Sequence, residues 1–267
     1  MKTLANGRSG TIGKYISADC LTLSGDLQSN QQLLNFEKLA DDQTVFIHLA
    51  GIVGNSLVEK DLSLSRRVNV LSTQELGEAA LKKGIKKFIY VSSCHVYGNN
   101  SRVITEEHPL NPQSSYAAQK LEGEKVLLNV FSDNPEKLLI IRVFSILGFG
   151  MPEFTLGGAI EKLIANPESA KIGNSDDNRD FLTPRTVAKN LELIANNDLS
   201  GIYNLCSSNG ETIASAATKM ASSKGVTLPS TAFIHNVENK TSIVGDNSKI
   251  KKAVSGLDLS WNIDQVN

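Results

Sequence analysis

Three short runs limit the fold of this chain more than any other feature: Val45-Phe46-Ile47-His48-Leu49-Ala50-Gly51, Phe88-Ile89-Tyr90-Val91-Ser92-Ser93 and Leu138-Leu139-Ile140-Ile141-Arg142-Val143-Phe144. Each is apolar with almost no alternation, so both of its faces must be covered, which is the pattern of a parallel strand between helices. Helical spacing fills the intervals. Gln31 to Leu39 offers Leu33, Leu34 and Leu39 as an inward face, and Ser63 to Lys83 carries Leu64, Val68, Leu71 and Leu76 before Gly84, a C-cap candidate. A further helix is predicted from Tyr116 to about Phe131. Strand and helix therefore alternate, which predicts an α/β fold: a doubly wound parallel sheet whose ligand lies at the carboxyl ends of the strands.

The chain start sharpens this expectation. A short strand candidate, Lys2-Thr3-Leu4-Ala5, runs directly into Asn6-Gly7-Arg8-Ser9-Gly10-Thr11-Ile12-Gly13, a Gly-x-x-Gly-x-x-Gly turn. Glycines at these positions permit a tight turn, close backbone approach to a pyrophosphate and a following helix whose N-terminus faces the anion. Such a turn between strand and helix predicts a Rossmann unit, although a glycine-rich loop without a ligand fits the same letters. A second strand at Leu21–Ser24 leads to Gly25-Asp26-Leu27, where Asp26 is placed either to meet an adenosine ribose or to cap a turn. His48, inside an apolar run, reads as a core histidine, and Asn69, inside a helix, as polar surface or as a hydrogen-bond partner of the neighbouring strand tips.

The stretch from Phe88 to Lys120 carries the chemistry. Its strand ends in two hydroxyls, Ser92 and Ser93, and the helix that follows opens with Tyr116-Ala117-Ala118-Gln119-Lys120. Four residues apart on a helix, Tyr116 and Lys120 share a face. A tyrosine titrates near ~10, and an ammonium within about 4–6 Å favours its phenolate, so Lys120 is expected to lower the pKa of Tyr116. Ser93 on the strand tip can then hydrogen-bond the substrate oxygen whose proton Tyr116 gives or takes.

Composition excludes several alternatives. With Lys+Arg 27 against Asp+Glu 28, the net charge of −1 gives no electrostatic footprint for nucleic acid or an anionic membrane. No apolar run reaches the ~20 residues of a membrane span, and no apolar signal segment opens the chain. The three cysteines, Cys20, Cys94 and Cys206, lack metal-ligand spacing and read as free thiols of a reducing compartment, so no metal is expected and the cytoplasm is the default. Residues 1–150 are expected to form the dinucleotide-binding Rossmann domain. Residues 151–267 are expected to form mostly a smaller C-terminal substrate lobe, with about 183–209 packing back on the first part.

As an ordered set, these motifs resemble the extended short-chain dehydrogenase/reductase family, in its NAD-dependent nucleotide-sugar epimerase/dehydratase branch. The resemblance runs through the glycine turn, His48-Leu49-Ala50, Asn69-Val70, Val91 to Gly98, Glu107 to Pro112, Tyr116 with Lys120, and Arg179-Asp180-Phe181. It implies that Ser93, Tyr116 and Lys120 are catalytic. It implies an NAD or NADP site lined by Gly7, Arg8, Gly10, Thr11, Ile12, Gly13, Asp26, Leu27, Leu49, Ala50, Gly51 and Asn69, with Tyr116 and Lys120 against the nicotinamide ribose. Cys94, His95, Ser145 and Arg179 are expected on the substrate side, where Arg179 would pair with the diphosphate of a nucleotide sugar. The implied partner is thus a small molecule, and a homodimer is the expected assembly. Dehydratases of this branch have Asp-Glu where this chain has Cys94-His95, which argues against water elimination. A nucleotide-sugar 4-epimerase is the leading expectation, a 4-ketoreductase of the same substrate class the alternative, and a dinucleotide sensor without activity the third reading.

Overall fold

The computed structural model describes residues 2–99 and 102–262. The strands β1 (Lys2–Ala5), β2 (Leu21–Thr22), β3 (Thr44–His48), β4 (Lys87–Ser93), β5 (Leu138–Val143) and β8 (Gly201–Leu205) form one six-stranded sheet in the order β2-β1-β3-β4-β5-β8. All its pairings are parallel. The sequence expectation of a Rossmann-type sheet is therefore met. β3, β4 and β5 are buried at every residue, which is why their sequences show no alternation.

Helices cover both faces. On one face α1 (Gln31–Leu39), α4 (Ser72–Lys82) and α5 (Ser115–Val130) close over Leu4, Phe46, Phe88 and Ile140. On the other, α7 (Pro184–Ala195) sets Val187, Leu191 and Ile194 against Ile47, Ile89 and Ile141. The segment from α7 to β8 is thus part of the main sheet layer. In α1 the inward side is Gln32 and Phe36, with Leu33 packed against the same core, whereas Leu34 is 49% and Leu39 is 38% exposed, so two of the three leucines predicted to face the core point largely outward. The helix before α4 is not uniform. α2 (Asn55–Lys60) and α3 (Leu62–Arg66) lead into a π-helical turn at Arg67–Leu71 that runs on into α4.

A smaller lobe is built on β6 (Ser145–Ile146), β7 (Asn178–Leu182) and β10 (Ser242–Ile243), with β9 (Gly210–Thr212) antiparallel to β7. α6 (Leu156–Ala165) and α8 (Ile213–Ser223) pack over it around Leu147, Ile160, Phe181 and Met220, and α9 (Ser248–Ala253) returns to the main sheet through Ile250. Among the described residues no helix is long and apolar enough to cross a membrane.

One expectation fails at the chain start. The glycine turn is followed by a single 3-10 turn, Gly13–Tyr15, where the sequence predicts a helix. The crossover from β1 to β2 thus lacks its helix, β2 has two residues, and Leu21 on it is 44% exposed. In the usual Rossmann order 3-2-1-4-5-6, two strands lie outside the first one. Here β2 alone does. Five residues separate Tyr15 from Leu21, the start of β2, too few for a helix long enough to cross the sheet.

Candidate active site

The strand tip and the helix start meet as their sequences predict. β4 ends at Ser93, whose hydroxyl accepts a hydrogen bond from the His95 N–H at 3.3 Å and so opens the 3-10 turn Cys94–Tyr97. Ser114 caps α5 by accepting from the Ala117 N–H at 3.2 Å, and Asn55 from α2 accepts the Tyr116 N–H at 3.4 Å. The Ser93 hydroxyl stands close enough to Tyr116 to favour its ionised form. Tyr116 and Lys120 keep a part of their surface open while protein surrounds them, as groups on the floor of a cleft do.

The electrostatics differ from the sequence expectation. Burial pushes the Tyr116 phenol up to about 12, reinforced by Cys94 and opposed by the Ser93 hydroxyl. Lys120 does not lower it, because its ammonium is turned away: Nζ donates to the Val91 carbonyl at 2.6 Å and lies 4.2 Å from the centre of the Tyr90 ring. Burial brings Lys120 itself down to about 8, with Glu124 one turn further along α5 pulling the other way. Tyr116 is a neutral phenol at pH 7.

Two buried polar networks hold this geometry. Glu124 and Arg142 form an ion pair in which Nε donates to Oε1 at 3.0 Å and Nη2 to Oε2 at 2.6 Å. Ser92 donates to the same carboxylate, while Arg142 Nη1 donates to the Tyr97 hydroxyl at 2.8 Å, which donates to Asn204. α5 is thereby fixed to β4, β5, β8 and the turn after Ser93. The second network starts at Asn6. Its Oδ1 accepts the Leu49 and Ala50 N–H groups at 2.8 and 2.9 Å, and its Nδ2 bonds Gln32 and His48 Nδ1. Thr73 donates its hydroxyl proton to the Asn69 carbonyl at 3.0 Å, so His48 Nε2 must be the donor to Thr73 at 2.9 Å. Burial pushes His48 down to about 3, which fits the neutral core histidine that its run predicts.

The expected cofactor residues divide into two groups. Gly7 has φ +67°, and a Cβ on it would stand 2.8 Å from the Ala50 nitrogen, so the turn lies directly on the end of β3. A Cβ on Gly13 would meet the Gly7 carbonyl at 2.1 Å. Gly7, Gly10 and Gly13, with Ala50 and Gly51, thus form a backbone-lined cradle that fits a dinucleotide phosphate. Arg8 reaches from it to the Ser17 carbonyl at 2.8 Å, tying the helix-less crossover in place. Thr11 and Ile12 are half-buried, and Ile12 packs on the main core, as Leu27 does on the opposite face. Asp26 is exposed and accepts the Gln28 N–H at 2.9 Å, so its carboxylate caps a turn, one of the two readings its sequence leaves open. Asn69 is committed to protein: Oδ1 accepts from Ile52 N–H at 2.8 Å, and Nδ2 donates to the Ile52 carbonyl and to Gln119 at 3.0 and 2.9 Å. Its part is to hold the loop beyond Gly51 against α5. The adenosine end of the site therefore lacks the helix.

On the substrate side, Ser145 is half-buried on β6 beside Phe181. Cys94 is buried and its thiol is pushed up to about 12 by burial, so it stays protonated. The His95 ring stands edge-on to Tyr116, with ring centres 6.5 Å apart. Arg179 on β7 pairs with Asp177 at 2.8 Å and donates to Thr241 at 2.7 Å, close enough to act on Cys94 and His95. Among the described residues no group of His, Cys, Asp and Glu side chains forms a metal site. Asn6, Gln119, Glu124 and Arg142 escaped the sequence reading. The readable signals were a charged residue inside an apolar strand, Arg142, and a carboxylate four residues after Lys120.

Comparison with known proteins agrees with this geometry. The profile of the NAD dependent epimerase/dehydratase family matches residues 7–206. The GDP-6-deoxy-D-mannose reductase of Pseudomonas aeruginosa is 26% identical over 226 residues, 77% of this chain and 74% of that enzyme. The UDP-glucose 4-epimerase of Vibrio cholerae is 30% identical over 132 residues, 48% of this chain and 39% of that enzyme. Among solved structures, RMD from Pseudomonas aeruginosa complexed with NADPH superposes with a TM-score of 0.84 at 23% identity, covering 100% of this chain and 96% of that one. With a cradle, a Ser93–Tyr116–Lys120 cluster and a family match over residues 7–206, the chain belongs to the NAD-dependent epimerase/dehydratase family of extended short-chain dehydrogenases/reductases.

Proposed function

We propose that this protein is a ketoreductase acting on a nucleotide-linked keto-sugar, with NADPH or NADH as an exchangeable reductant. The observation that carries this reading is the three-residue turn in place of the first crossover helix. A 4-epimerase must keep its dinucleotide through the whole cycle, because the hydride removed from one face of the sugar has to return to the other. A site without the helix that faces the pyrophosphate suits a cofactor that arrives and leaves each turnover.

The nicotinamide supplies a hydride. Everything else falls to the chain. Ser93 and Tyr116 hydrogen-bond the carbonyl oxygen, and Tyr116 gives it a proton as the alcohol forms. Lys120, held by the Val91 carbonyl and the Tyr90 ring, fixes the floor of the cleft, and its remaining N–H donors serve the cofactor ribose. Arg179, kept in orientation by Asp177 and Thr241, faces the diphosphate of the substrate. The 4-epimerase remains the second reading, on the identity with a UDP-glucose 4-epimerase over 132 residues. A panel of GDP-, UDP- and dTDP-linked 4-keto-6-deoxyhexoses with NADPH or NADH tests the proposal. Stoichiometric oxidation of the reductant with formation of the sugar alcohol is expected. Interconversion of 4-epimeric UDP-sugars without net oxidation would establish the second reading instead.

A further inference from the structure

We propose that Tyr90 is a positioning residue of the cofactor site: the face of its ring holds the Lys120 ammonium as a cation at the strand tip and so sets how tightly the dinucleotide is bound. This rests on the reading of Lys120 as the group that serves the cofactor ribose, and it adds to that reading a residue from inside an apolar strand.

The Lys120 Nζ lies 4.2 Å from the centre of the Tyr90 ring, well inside the range over which a ring face attracts a cation. One of its three N–H donors goes to the Val91 carbonyl at 2.6 Å, so the ring is the second support of a charge that protein surrounds. The ring is held from both sides. His48, opposite it on β3, stands 5.8 Å away between ring centres. On the α5 side a Cβ at Gly123 would stand 2.4 Å from the Tyr90 hydroxyl oxygen and 3.0 Å from Cζ. A glycine in a helix interior is costly, and this one makes the room that the ring fills. The hydroxyl itself is idle: among the described residues it is buried and has no hydrogen-bond partner. A tyrosine whose phenol is unpaired while its face meets an ammonium is placed there for its ring.

The ring acts on the charge of Lys120. Burial favours the neutral amine. Of the titratable groups that face Nζ, Glu124 on α5 favours the cation but is itself bonded to Arg142 and Ser92. Tyr116 on α5 and His48 on β3 are neutral, and burial holds the Tyr90 phenol on β4 well above its usual 10. The π face of Tyr90 is therefore the attraction that assists Glu124 against burial. A charged Nζ gives the ribose hydroxyls charge-assisted hydrogen bonds, and a neutral amine does not. Without the face, Lys120 loses its proton at lower pH, and with it part of its hold on the cofactor.

The test titrates the full chain with NADPH by fluorescence from about pH 6 to about pH 10, a window that spans the titration of a lysine lowered by burial. The wild type is expected to lose affinity as pH rises through about 8. Tyr90→Leu should bind NADPH roughly tenfold more weakly at neutral pH, with the alkaline loss starting about one pH unit lower. Tyr90→Phe, which keeps the face, should restore both and melt no lower than the wild type, since it removes a buried unpaired hydroxyl. Fluorinated phenylalanines of nearly the same shape, incorporated at position 90, should move the alkaline limb to lower pH in step with fluorine content, which keeps the test decisive if the leucine variant does not fold. Lys120→Met separates positioning from structure: on that background Tyr90→Leu should cost no further affinity. The same loss on the Lys120→Met background, or an alkaline limb that stays in place across the fluorinated series, overturns the proposal. If Lys120→Met alone binds NADPH as tightly as the wild type, the ribose role of Lys120 falls and that of Tyr90 with it. Absence of NADPH oxidation with the keto-sugar panel overturns the reductase reading alone, because every readout for Tyr90 is cofactor binding.

Discussion

The two ends of the cofactor cleft are built to different standards. At the β4–α5 end, Ser92, Glu124, Arg142, Tyr97 and Asn204 form a continuous buried network, and every strand residue from Lys87 to Ser93 is buried. At the β1–β2 end a three-residue turn replaces a helix, the edge strand has two residues, and Asp26 caps its own turn. On the proposed reading, the contrast teaches that this chain keeps the machinery that orients a proton and a hydride, while reducing the part that retains a dinucleotide. Chemistry needs groups held within a fraction of an ångström. Retention needs only enough contact area, and an enzyme that exchanges its reductant gains from less of it.

The sharpest way to break this comparison is at the rigid end. Tyr116→Phe should lower the reduction rate by roughly 10²–10⁴ while NADPH still binds, read by steady-state kinetics beside a fluorescence titration. Retained turnover would remove Tyr116 from the mechanism. Glu124→Gln should be next in size. It leaves Arg142 buried without its counter-charge, and breaking such a pair costs about 3–5 kcal/mol, which denaturant unfolding would register. A loss below about 1 kcal/mol, of the order of a surface pair, would show that the network is not what holds α5 in register.

At the reduced end the expected effects are smaller. Gly13→Ala forces a Cβ to 2.1 Å from the Gly7 carbonyl oxygen and 2.7 Å from the Arg8 Cα, so the turn must shift; NADPH should bind about tenfold more weakly, close to 1.4 kcal/mol, and the melting temperature should fall as well. Equal NADPH affinity in that variant would mean that the cradle is not the phosphate site. The smallest effect is in pH. Lys120 binds its proton less readily when folded, with a pKa of about 8 against 10.5 unfolded. The unfolded chain therefore holds more protons between these values, and stability should rise with pH across that window. Lys120→Met should flatten the rise, and an unchanged slope would place the titration elsewhere.

Legibility in the sequence divides along the same line. The rigid end was readable: uninterrupted apolar runs can only be doubly covered strands, and Tyr116 and Lys120 four apart on a helix can only share a face. Which way Lys120 turns was not, since the Val91 carbonyl and the Tyr90 ring that receive it are set by packing between β4 and α5. The inward face of α1 was misplaced at Leu34 and Leu39 for a related reason. Its phase is set by Phe36 meeting Phe46 and by Gln32 reaching Asn6, and both partners lie outside the helix. At the chain start the glycine spacing suggested a helix, but spacing records the turn alone. Whether a helix can succeed the turn depends on the length of chain left before the next strand, and from Gly13 to Leu21 that length is too short.

The central claim, that the dinucleotide is exchanged at every turnover, is tested most directly by measuring bound nucleotide. The purified protein would be denatured and any released NAD or NADP quantified per chain, before and after gel filtration in nucleotide-free buffer. The account predicts well under one nucleotide per chain, lost on filtration and restored reversibly by added NADPH or NADH. A full complement of NAD that survives filtration would contradict it and return the chain to the epimerases.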